Sequence, residues 1–248
     1  MGVIVFNGKS TEELGLISQA IPSYEFPKKN YKYTHIPGRN GDLITDLRSY
    51  ENVNRTYYLA CIYRQGSKFI ENAQAIVEWL MGAIGYCRLE DSYEPDVFRL
   101  ASYVDNGSLS DIYDTATTIN ITFNCKPQKY LKLDYANGID FNGLTLKVNN
   151  PTGYEAHPLI KFTPTETGEI TITVNDNQFT ANITEDMVNK VICIDSEIQH
   201  CYMIKDDDKV NVNKHFNIVE FPILKAGINE IEFSAGININ IKPRWWRL

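Results

Sequence analysis

The chain has 248 residues, of which 43% are hydrophobic and 22% charged, and its net charge is −7. This composition excludes a disordered chain, and the length exceeds that of a usual single domain, so two domains of about 120 residues are expected. Up to Tyr130 there are 13 basic and 15 acidic residues, and beyond it 11 and 16, so neither half offers the strongly basic surface of a nucleic-acid-binding protein.

Residues 3–6 read as a short apolar strand, and residues 14–21 as another around Gly15. Pro22 and Pro27 bracket a connection to a strand at 31–34. Residues 36–43 hold a proline, two glycines and an Asn-Gly pair, which predict a turn or extended loop with positive φ. Residues 55–63, rich in aromatic and β-preferring side chains, predict a central strand. One helix is predicted over 67–81. Phe69, Ile70, Ala73, Ile76, Val77 and Leu80 share a face, with Ser67 as N-cap, Glu71 in the first turn and Gly82 as the stop. Strands follow at 85–89, 97–103 and 117–124, with turns at 93–96 and 106–108.

In the stretch 117–124, Ile119, Ile121 and Phe123 alternate with polar residues, the pattern of a strand with one buried face. Pro127 lacks a ladder donor and is expected to end that strand. The joint between a domain of residues 1–130 and one of residues 131–248 is placed there. In the second half, a strand is expected at 159–163. Ile170, Ile172 and Val174 alternate with threonines, and Asn175-Asp176-Asn177 turns the chain into Phe179, Ala181 and Ile183. Further strands at 191–194, 201–204, 230–233 and 237–241 complete a pattern typical of a β-sandwich.

No targeting segment is read at the N-terminus, whose apolar run has no basic residues before it, and no stretch approaches the roughly 20 apolar residues needed to cross a bilayer. Cys61, Cys87, Cys125, Cys193 and Cys201 lack CxxC spacing and sit in apolar settings, as expected of reduced core thiols made in a cytoplasm.

The motifs of phosphate loops, dinucleotide folds, zinc proteases and serine hydrolases are absent. His35, His157, His200 and His215 are isolated, and His200 and Cys201, adjacent on a strand, point to opposite faces. Asp206-Asp207-Asp208 lacks the glycine and distal glutamate of a calcium loop and reads as a solvated turn. Glu90, Asp91, Glu94 and Asp96, crowded into one segment, read as exposed carboxylates rather than a sugar-hydrolysing pair. No catalytic residue, cofactor or metal ligand is therefore assigned. Fifteen tyrosines and the pair Trp245-Trp246 instead suggest contact surfaces in an assembly.

Four segments in order, around one helix, resemble the distal tail proteins of siphophages that infect Gram-positive bacteria. They are Ile36 to Leu43 (IPGRNGDL); Glu90 to Asp96 (EDSYEPD) with Arg99 and Ala101; Ile121 to Gln128 (ITFNCKPQ); and Ile241 to Leu248 (IKPRWWRL). The resemblance implies a mainly β protein: a tail-tube-like β-sandwich domain with one helix, then a galectin-like β-sandwich. It implies a structural hub, not an enzyme, in which six copies close into a ring at the tail tip of a virion assembled in the host cytoplasm. The implied partners are the tail tube protein, a tail-associated or tail fibre protein and receptor-binding proteins, with DNA only passing through the lumen and no membrane contact. Arg39 and Asp42, held in the glycine-bounded loop, and Trp245 and Trp246 are the expected interface residues. The alternative is a carbohydrate-binding β-sandwich adhesion module of a phage tail, which needs exposed aromatics beside polar groups in a groove. A tail-associated peptidoglycan hydrolase needs a clustered catalytic site.

Overall fold

The computed structural model describes residues 2–62, 68–104, 110–112 and 116–248, and it divides into Met1–Lys129 with Leu248 as one unit and Tyr130–Arg247 as the other. Both units are mainly β, and the described residues of the first include one α-helix.

The first unit contains β1 (Ile4–Phe6), β2 (Lys9–Ser10), β3 (Leu16–Ser18), β4 (Lys29–Thr34), β5 (Leu43–Tyr50), β6 (Val53–Ile62), α1 (Lys68–Met81), β7 (Cys87–Asp91), β8 (Val97–Tyr103), β9 (Ser110–Ile112) and most of β10 (Ala116–Leu131). All these strands except β4 and β5 form one curled sheet, ordered β2-β1-β7-β8-β10-β6-β3, with β9 also beside β10. The alternation read in β10 is the cause: Ile119, Ile121 and Phe123 turn inward and meet Phe6, Tyr57, Leu59 and Leu89. The helix closes this core with Ile76, Trp79 and Leu80, and the Trp79 indole donates to the carbonyl of Phe6 at 2.9 Å. Val77, expected on the core face, is instead exposed, because Trp79 fills the position beside Ile76 and Leu80. The side chains of Phe69 and Ile70, the expected cap Ser67 and the turn at 106–108 lie outside what is described.

Pro127 does not end the strand, contrary to expectation. The ladder between β10 and β6 stops at Cys125↔Val53, so the missing N–H of Pro127 costs no hydrogen bond to β6 and β10 continues to Leu131. The boundary between the units thus falls within a strand rather than in a loop.

The second unit contains β11 (Ile139–Asn150), β12 (Leu159–Thr163), β13 (Gly168–Val174), β14 (Asn177–Ile183), β15 (Val191–Asp195), β16 (His200–Lys205), β17 (Asp208–Asn211), β18 (Phe216–Asn217) and β19 (Gly227–Lys242). They form a second curled sheet, ordered β17-β16-β15-β12-β19-β13-β14-β18, with β11 also beside β19. The two strands expected at 230–233 and 237–241 are one strand, β19, whose pairing with β11 shifts register between Gly143 and Thr145. The expected Asp-rich turn is a two-residue hairpin: Lys205 pairs with Asp208, and Asp206 and Asp207 take φ of 50° and 67°, the left-handed pair that a type I′ turn requires. Ile160, Ile172, Phe179, Ile192, Ile194 and Ile239 form a core that shares no residue with the first.

Candidate functional site

Two features of the first unit stand out from its fold: a buried group of charges and an arm that leaves the sheet beside it. The charges come from four strands. Asp91 ends β7, Arg55 lies on β6, Arg99 on β8 and Lys129 on β10, while Glu94 sits in the turn after β7. The Asp91 side chain has 0% exposure. Its Oδ2 accepts from the Tyr57 hydroxyl at 2.6 Å and from Arg55 Nη2 at 3.1 Å, and its Oδ1 accepts the backbone N–H groups of Tyr93 and Glu94, both at 3.0 Å. Glu94 is paired with Arg99, with Lys129 at 3.5 Å and with Arg55 at 3.8 Å. The expectation that this acidic segment is merely exposed is corrected, because three cations converge on it from neighbouring strands.

Burial pushes the Asp91 carboxyl upward, but the Tyr57 hydrogen bond and the Arg55 charge outweigh it and hold the group below the ordinary aspartate range. Glu94 is likewise held low against its own burial, chiefly by the Arg99 hydrogen bond and charge. Burial beside Asp91 drives the Tyr57 phenol well above its usual value. A carboxylate stabilised as an anion in this way is a poor general acid, and the adjoining cavity, about 30 Å³, has room for about one water molecule. The group is structural.

What it holds is the root of the arm. Arg55 Nη1 donates to the Ser23 carbonyl at 3.2 Å, and Lys129 contacts the Tyr24 hydroxyl with its ammonium 4.3 Å from the centre of that ring. Tyr93, in the same turn as Glu94, shares a 2.8 Å hydrogen bond with Ser18 at the end of β3. Beyond this root, β4 and β5 pair only with each other. Tyr31, Tyr33, Leu43, Ile44 and Leu47 are exposed along the arm. A lone two-stranded ribbon is marginal in water, so side chains of this kind without a core point to a partner.

The arm's tip is the loop singled out in the sequence. Gly38 and Gly41 have φ of 80° and 79°, as its composition predicts. Arg39 and Asp42 are exposed there, and Asp42 lies 3.4 Å from His35. The two tryptophans lie elsewhere. Trp245 is 1% exposed and sits in the core of the second unit. Trp246 stacks on Tyr154 with ring centroids 4.4 Å apart and donates to the Glu155 carbonyl at 2.8 Å. Arg244 just before them grips Asp195 through two hydrogen bonds of 2.6 and 3.0 Å. All three tie the last segment into the second unit. Arg39 and Asp42 thus share the exposed tip loop of the arm, while Trp245 and Trp246 pack against residues of the second unit.

Sequence reasoning missed the apolar arm strand β5 and the charge group. In the second unit, a groove of about 580 Å³ is lined by Asp140, Asn142, Lys161, Thr163, Asn238 and Asn240 together with Phe141 and Phe162. Phe162 is buried and Phe141 packs on the core, so among the described lining residues no exposed aromatic platform accompanies the polar ones. Among the described residues there is no group of three or more His, Cys, Asp or Glu arranged to hold a metal ion.

No protein-family model and no curated protein matches the chain. Solved structures do. SPP1 Dit, described as a paradigm of the hub adsorption apparatus in phages infecting Gram-positive bacteria, matches with a TM-score of 0.72 and 11% identity, covering 97% of this chain and 98% of that one. The phage p2 baseplate in its activated conformation, determined with strontium and with calcium, contains a chain that matches with a TM-score of 0.57 and 11% identity over 97% of both. Along nearly its whole length, through both units, this chain has the fold of SPP1 Dit.

Proposed function

We propose that the chain is a distal tail protein, the structural hub of a siphophage tail tip. The observation that carries this reading is the end-to-end match to SPP1 Dit, which takes in both units and the order in which they occur. In this reading six copies close into a ring through the tail-tube-like first unit, and the second unit is a galectin-like sandwich. The ring joins the tail tube to the tail-associated protein and the host-adhesion device, and DNA passes through its lumen. Three features support it: an arm with uncovered apolar side chains, carboxylates locked in salt bridges rather than poised for chemistry, and a net charge of −7, which suits a channel that does not grip DNA. A saccharide-binding role for the second unit is less well supported, since the aromatic side chains lining its groove serve the core.

Mass photometry and negative-stain imaging of the purified chain, alone and with the tail tube protein, test the proposal. Six copies of a 28.3 kDa chain give a six-fold ring of about 170 kDa. Monomer alone at high concentration, with and without the tail tube protein, overturns it.

A further inference from the structure

The buried charges of the first unit do not cancel. Arg55, Arg99 and Lys129 bring three cations, their side chains 7%, 9% and 7% exposed, against the two carboxylates of Asp91 and Glu94. One positive charge is left over where bulk water does not reach, and an unanswered buried charge is costly. The groups beside it stay neutral: burial pushes the Cys125 thiol up to about 12 and drives the Tyr57 phenol well above its usual value. A donor is left over as well. The buried Arg55 Nε–H has no acceptor among the described residues, although both terminal nitrogens of the same guanidinium have one. Orphaned donors of this kind are rare in folded proteins.

Both surpluses meet at one cavity. Arg55, Arg99 and Lys129 line the space of about 30 Å³, together with Lys126 and Cys125. The one acidic side chain among its described lining residues is Glu25, which is exposed. A space of that size admits a water molecule or a monatomic anion of similar bulk, and it excludes phosphate, sulfate and sugars. A water molecule accepts the Arg55 Nε–H but leaves the charge standing, whereas an anion answers both. We propose that this cavity is a chloride site, the ion accepting the Arg55 Nε–H and balancing the surplus charge of Arg55, Arg99 and Lys129. The effect reaches the arm, because Arg55 and Lys129 are the side chains that hold its root at Ser23 and Tyr24.

Crystals of the full-length chain soaked in sodium bromide are expected to show a bromine anomalous peak in the cavity beside Arg55. Density there without bromine signal overturns the site. In solution, replacing sodium gluconate by sodium chloride at constant ionic strength is expected to raise the melting temperature saturably by about 3 °C, since an ion held only by the folded state adds stability as it binds. Sodium sulfate, too large to enter, is expected to act without saturation, through its exclusion from the protein surface. Glu25→Gln removes the opposing charge from the lining and is expected to lower the half-saturating chloride concentration about threefold. Lys126→Gln removes a favourable charge and is expected to raise it about threefold. A chloride effect that does not saturate, or one whose midpoint neither variant moves, overturns the proposal.

Discussion

A carboxylate with no exposed surface is stable as an anion only when its charge is answered, and Asp91 has four donors on its two oxygens. Asp91→Asn keeps the shape and removes the charge that Arg55 and Arg99 face. Breaking a buried pair on one side costs about 3–5 kcal/mol, so urea unfolding of this variant should show that loss, and its root segment at Ser23 and Tyr24 should loosen. The same carboxylates set an acid limit. Asp91 and Glu94 have depressed folded-state pKa values, so their stabilisation is present above the unfolded carboxylate range, roughly pH 4, and is lost as pH falls through the folded values. Melting temperature should therefore hold between neutral pH and about pH 5 and fall steeply below about pH 4, with a shallower acid fall in Asp91→Asn. None of this was legible in residues 90–96 themselves. The motif was visible, but its partner Arg55 lies 36 positions earlier, and Lys129 joins Glu94 from 35 positions later, distances that no local pattern spans.

Elements were legible in proportion to how one-sided their burial is. β8 was read at its observed bounds, because its apolar residues Val97, Phe98 and Ala101 are buried. β5 was missed for the opposite reason: LITDLRSY is exposed along nearly its whole length, so no face selects for alternation. β11 does alternate at Ile139 and Phe141, but its register shift at Gly143 changes the phase before Leu146 and Val148. The helix was located almost to the residue, yet its apolar stripe is wider than its buried face, and the surplus residue Val77 belongs to the exposed side. Because the arm contributes no residue to the core of the first unit, replacing residues 30–49 with a short Gly-Ser turn should change unfolding free energy by no more than about 1 kcal/mol. Circular dichroism should report a folded chain. Mass photometry should report no ring, and a shortened chain that still closes into a ring would place the contact elsewhere.

At the scale of the whole molecule, the two cores share no residue, as two independently folding units require. The units divide at Lys129/Tyr130, inside β10, because a proline beyond its ladder is no obstacle to the strand, and the first irregular backbone after β10 is the turn at residues 132–138. Limited proteolysis should therefore cut within 132–138, where Leu133 is exposed, and release a folded fragment ending near Leu131; preferred cutting at 125–129 would contradict the strand. The ladders of the first unit's sheet that are described above close among residues that precede this turn. The second unit is built around β19, which pairs with β11, β12 and β13 and is made after all three. Synthesis proceeds from the N-terminus at about 5–20 residues per second, so the arm and helix are complete while the second sheet still lacks its central strand. Chains growing side by side on one messenger thus present their arms and helices to each other before any of them is released.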